Sequence, residues 1–67
     1  MKVWIGKEIT VIYDPRPFFD KKVFKAEVVK LTKTGFRVRN LEQPGLYEDE
    51  LFKNDGTVRG WNTLTWF

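Results

Sequence analysis

The chain has 67 residues, room for one small domain, and contains no cysteine, no histidine and no serine. Disulfides, thiolate or imidazole metal sites, the usual near-neutral general base and the two commonest nucleophiles are therefore excluded. The net charge of +3 is modest, while eleven aromatics, 16% of the chain, supply the apolar area that a core without staples requires.

Met1-Lys2-Val3-Trp4-Ile5 meets Gly6-Lys7 too soon for a signal-peptide apolar region, and no apolar run approaches the ~20 residues of a membrane span. A cytoplasmic chain with no membrane partner is the expectation. Period-2 alternation then dominates, without a helical stripe. The first strand is predicted at Lys7–Tyr13, with Ile9, Val11 and Tyr13 on one face and Glu8, Thr10 and Ile12 on the other. Asp14-Pro15-Arg16-Pro17 ends it, because each proline removes a donor and restricts the residue before it. Phe18-Phe19 continues a loop apolar enough that one ring is expected to pack back over the barrel end.

The second strand is predicted at Lys22–Thr32. Phe24, Ala26 and Val28 share one parity and Val29 and Leu31 take the other, a phase switch that signals a bulge or sharp bend. Thr32-Lys33-Thr34-Gly35 reads as a tight turn with Gly35 free to take a positive φ. The third strand, Phe36–Asn40, turns Phe36 and Val38 inward and Arg37 and Arg39 outward. A loop centred on Pro44-Gly45 leads to a fourth strand at Leu46–Lys53. Asp55-Gly56 suits a type I′ hairpin turn, and a fifth strand runs from about Thr57 to Trp66 with a bend at Gly60. These elements describe an all-β domain spanning residues 1–67, a small five-stranded antiparallel barrel of the SH3-like kind.

Charge is split along the chain. Residues 21–39 hold seven cations against Glu27, a local balance of +6, whereas residues 40–55 hold five acids against Lys53, a balance of −4. Such a dipolar surface attracts or orients a charged partner. A two-residue Lys33-Thr34 loop would set Lys30 directly across from Arg37, a like-charge pairing that folding does not need and that a bound anion would relieve. Phosphate is the obvious anion, so the leading expectation is nucleic acid held by Lys22, Lys25, Lys30, Lys33, Arg37 and Arg39, with Trp61 stacking on a base. The plain alternative is a solvated face kept charged to discourage edge pairing.

Trp66 is expected in the core and Trp4 as a cap on the barrel. Glu48-Asp49-Glu50, alternating on a strand, would place Glu48 and Glu50 on one side, either to complement neighbouring cations or as an acidic stripe for a protein partner. Two carboxylates alone make no metal site, and no metal or cofactor is expected. A 67-residue barrel offers little of the concave pocket that carboxylate catalysis needs, so an enzyme is not expected.

Two resemblances attach to particular residues. Ile5-Gly6-x-x-Ile9-x-Val11, then Phe24-x-Ala26-x-Val28-Val29, then Phe36-x-Val38 is similar to Tudor-like and KOW-like barrels over about residues 5–39. Tudor barrels that read methylated side chains use an aromatic cage, and Tyr13 and Phe18 sit near where such residues lie. Thr32-Lys33-Thr34, then Phe52-Lys53-Asn54-Asp55-Gly56, then Gly60 resembles small uncharacterised phage and prophage proteins over about residues 26–60. The second resemblance implies a setting more than an activity. Together these readings give a monomeric binding module, with nucleic acid as the leading partner. The alternative is a protein-interaction module, such as a phage-encoded modulator of a host protein, docking through Phe18, Phe19, Glu48 and Glu50.

Overall fold

The alternation in the sequence becomes six strands in a computed structural model that describes residues 3–67; Met1 and Lys2, at the start of the N-terminal segment read above, lie outside the described residues. The strands are β1 (Glu8–Tyr13), β2 (Lys22–Leu31), β3 (Gly35–Asn40), β4 (Phe52–Lys53), β5 (Thr57–Val58) and β6 (Trp61–Trp66). Each pairs antiparallel with the next, and β6 returns to β1 through Val11↔Trp66, Ile12↔Thr65 and Tyr13↔Leu64, which closes the barrel. Closure leaves no long unpaired edge.

The inward parity of each strand supplies the core: Ile9 and Val11, Ala26 and Val28, Phe36 and Val38, Phe52, Val58, and Leu64 with Trp66 are all buried. Phe36 meets Trp66 edge-to-face at 5.0 Å and lies 5.8 Å from Phe52. Full burial of an aromatic or aliphatic side chain contributes about 1.5–3 kcal/mol, so these three rings carry a large share of so small a core. The Trp66 indole N–H donates to the Lys53 carbonyl at 2.6 Å, which satisfies its one polar atom. No buried side-chain nitrogen or oxygen among the described residues lacks a partner.

Three expectations are borne out in detail. β1 has the predicted faces, β2 shifts register between Val28 and Lys30, and Trp66 is core. The shift is a one-residue bulge at Val29, whose side chain is left exposed. It lets Ala26 and Val28 stay inside while the end of the strand bends away.

Other expectations are corrected. The fifth run folds on itself: Val58 pairs with Trp61 across Arg59-Gly60, and Gly60 takes φ +81, so one predicted strand becomes two. The fourth strand shrinks to Phe52–Lys53, because the Leu46 and Asp49 carbonyls of the preceding segment accept from the Asn40 and Arg37 side chains instead of from a neighbouring strand. Gly35 does not take a positive φ. It is glycine because a Cβ there would lie 2.0 Å from the Phe52 carbonyl oxygen. The β4–β5 turn is not type I′, since only Gly56 has a positive φ and its N–H bonds to the Lys53 carbonyl; it is a three-residue loop ending in a left-handed glycine. Neither Phe18 nor Phe19 packs back, at 83% and 69% exposure; Pro15 is the buried residue of that loop. Trp4 does not cap the barrel: it is more than half exposed, with the Lys7 ammonium 4.2 Å above its ring.

Candidate nucleic-acid interface

The β2–β3 hairpin projects every second residue outward. Its tip is closed by the Thr32 N–H on the Gly35 carbonyl (2.9 Å) and the Gly35 N–H on the Thr32 hydroxyl (3.1 Å), leaving the two-residue loop Lys33-Thr34. That loop length sets the register, so Leu31 faces Phe36 and Lys30 lies directly opposite Arg37. Neither Lys30 nor Arg37 has a carboxylate partner among the described residues. Arg37 donates one guanidinium N–H to the Asp49 carbonyl, which leaves its other donors facing solvent.

Further along the hairpin the cations are already engaged. Arg39 faces Glu27 in register and forms an ion pair with it. Lys25 faces Thr10 of β1 and donates to its hydroxyl at 2.8 Å. Glu27 also lies opposite Glu8 of β1, so acid interrupts the basic run at mid-strand. Lys22 faces Tyr13 at the far end of β2, about 26 Å along the strand from Lys30 at about 3.3 Å per residue. Trp61 belongs to that far end, since its ring meets Tyr13 at 6.4 Å. The structure thus brings together Lys30, Arg37 and the neighbouring Lys33, and sets Lys22 and Trp61 apart from them. Lys22, Lys30 and Lys33 have no side-chain hydrogen bond or ion pair among the described residues.

The acidic residues are not arranged on a strand. Glu48 lies in the irregular segment before β4 and accepts the Asn40 N–H at 2.9 Å. The N–H groups of Gly45 first and Asn40 second hold its carboxyl below the usual carboxylate range. Its role is to shape the loop, and it shares no strand face with Glu50. Among the described residues no cluster of three or more acidic side chains is placed to hold a metal ion. No helix is long and apolar enough to cross a membrane.

One feature of the surface is absent from the charge pattern. Tyr47 sits in the middle of an aromatic cluster, 5.9 Å from Phe24 and nearly parallel to it, 5.5 Å from Tyr13, and edge-on to Trp61 at 5.7 Å. Tyr13, Phe24 and Tyr47 line a cleft of about 340 Å³ whose rim carries the exposed Lys22, Glu42 and Gln43. Burial first, and the neighbouring Tyr13 hydroxyl second, push the Tyr47 phenol above its ordinary pKa. Tyr47 has φ +60, a left-handed backbone uncommon outside glycine. Alternation alone placed Tyr13 and Phe24 on inward faces and did not mark Tyr47, because its position depends on a loop. The one local signal was an aromatic two residues after Pro44-Gly45. No protein family, curated protein or solved structure matches this chain.

Proposed function

We propose that this chain is a non-enzymatic binding module that holds nucleic-acid phosphates on the outer face of the β2–β3 hairpin. The observation that carries the reading is the register pairing of Lys30 with Arg37, beside Lys33, without a carboxylate on either. Like charges directly opposite destabilise a sheet by roughly 0.2–1 kcal/mol, and a bound anion reverses that sign. Arg39 adds to the surface despite its ion pair with Glu27, because an exposed pair contributes only about 0–1 kcal/mol and yields readily to a phosphate. Contacts of this kind fix position on a backbone and carry little sequence preference.

The test is titration of the ¹⁵N-labelled protein with short oligonucleotides at 50 and 200 mM salt. If three to four phosphates are held, affinity falls about 20- to 150-fold between the two, and amide shifts concentrate at residues 30–39. Lys30→Glu combined with Arg37→Glu, both on exposed side chains, removes binding while leaving the amide spectrum folded. Absence of shifts at 50 mM salt would overturn the reading.

A second reading has its own observation, the exposure of adjacent Phe18 and Phe19 on the β1–β2 loop. Two phenyl rings in water suit a partner protein, host-directed if the phage-type resemblance holds. Phe18→Ser with Phe19→Ser separates the two, since it removes a protein contact and leaves oligonucleotide affinity unchanged.

A further inference from the structure

We infer that the cleft formed by Tyr13, Phe24 and Tyr47 takes an unstacked base, so that the ligand of this surface is a single strand and not a duplex. The inference rests on the nucleic-acid reading above and names its substrate class. The cleft volume of about 340 Å³ lies at the small end of the range for small-ligand sites. Three of the side chains that line it are aromatic: Phe24 and Tyr47 lie within 13° of parallel at 5.9 Å, Tyr13 lies 5.5 Å from Tyr47, and Trp61 backs Tyr47 edge-on at 5.7 Å. All four rings are half-buried, so each is held by packing and keeps part of its surface open. Any base can stack on such rings, but only after it has left its own stack.

The cleft is built in advance. Asn40 is buried and accepts the N–H groups of Glu42 and Gln43, both at 2.9 Å, while its amide donates to the Leu46 carbonyl at 3.1 Å. These bonds fix the loop that carries Tyr47 into the cluster. Its left-handed backbone is the kind of outlier that collects at ligand clamps.

Charge orients the occupant. Lys22 at the rim has no side-chain partner among the described residues and is placed to meet the phosphate attached to an inserted base. Glu42 accepts the Lys25 backbone N–H at 2.7 Å, so a carboxylate is fixed at the rim three residues along β2 from Lys22. It repels phosphate and accepts from an exocyclic amine, which puts the base towards Glu42 and the backbone towards Lys22. A free cation is a poorer fit, because Lys22 shares the rim. From Lys22 to Lys30 the strand spans about 26 Å. A strand of about four nucleotides, the lower limit for one small barrel, then joins the cleft to the Lys30–Arg37 pair.

The experiment compares an eight-nucleotide mixed-sequence single strand with its duplex by fluorescence anisotropy. It uses the wild type, Lys22→Ala and Tyr47→Gly, with aromatic NMR on the wild type. The single strand is expected to bind about tenfold more tightly than the duplex, and the ring resonances of Tyr13, Phe24 and Tyr47 to shift on binding. Lys22→Ala reduces the slope of log affinity against log salt by about 0.7. Tyr47→Gly keeps the left-handed backbone, removes the ring and makes the two affinities equal. Equal wild-type affinities, or unmoved ring resonances with shifts only near Lys30 and Arg37, would overturn the inference and leave the phosphate reading standing. Failure of both ligands at 50 mM salt would remove both.

Discussion

Gly35 shows how one residue can be indispensable for a reason that its turn position does not announce. Its backbone lies against Phe52, and an added Cβ would meet the carbonyl oxygen at 2.0 Å and the carbonyl carbon at 2.9 Å. The obstructing atoms are backbone, so no side-chain rotation relieves them, and β4 is only two residues long. Gly35→Ala must therefore push β4 off β3 and loosen Phe52, which is fully buried against Phe36. The expected cost is about 2–3 kcal/mol, the upper part of the range for overpacking. In a domain of this size it lowers Tm by roughly 10–20 °C. A thermal melt of Gly35→Ala within 3–4 °C of the wild type would show that the strands separate without cost. The sequence marked Gly35 correctly as a turn glycine but for the wrong cause, since steric contact with a residue 17 positions later leaves no local trace.

The segment between β3 and β4 is the element where the strand reading fails. Leu46–Lys53 reads as a strand between two turn signals, yet only its last two residues pair. The competing partner is Asn40, whose side chain and backbone N–H together bind Glu42, Gln43, Leu46 and Glu48. A side-chain amide that mimics a turn offers those backbone groups what a ladder would have offered. Asn40→Ala strips three of these bonds from the loop, at about 0.5–1.5 kcal/mol each. The variant should lose about 2–3 kcal/mol by urea denaturation, with amide exchange accelerating first at Glu42 and Gln43. Unchanged protection there would mean that the loop is held by something other than Asn40. By contrast β1, β2 with its bulge, and β3 were legible because each is stabilised by pairing that repeats every second residue. The aromatic cleft was not legible, because Tyr47 reaches it only through this loop.

At the scale of the molecule, the two oppositely charged runs of the sequence are neighbours in space. Arg37 of the basic hairpin bonds to the Asp49 carbonyl of the acidic segment, and Arg39 is paired within the hairpin itself. The charge separation is thus shorter than the sequence suggests, and three of the nine carboxylates are held by partners close in sequence. Asp14 is held below its usual pKa by the Arg16 guanidinium first, Glu48 by the Gly45 N–H first, and Asp55 by the Thr57 hydroxyl first. In each case the folded protein binds a proton less readily than the unfolded chain. Their stabilisation is therefore present above the unfolded values near pH 4 and is lost as pH falls through the lower folded values. Tyr47 acts in the opposite direction: its raised pKa keeps its contribution whole below about pH 10 and loses it as pH climbs through the folded value. With no histidine in the chain, no side chain of ordinary pKa titrates between pH 5 and 8. Tm should hence be flat from about pH 5 to 9 and fall below pH 4. General repulsion among the twelve lysines and arginines also contributes to the acid fall, so the local cause needs its own control. Glu48→Gln supplies it. At pH 7 the variant lacks the charge that the Gly45 and Asn40 N–H groups favour and melts below the wild type, and the gap narrows as pH falls through the lowered folded value of Glu48. A difference in Tm that does not change with pH would show that the Glu48 side chain acts by shape and not by charge.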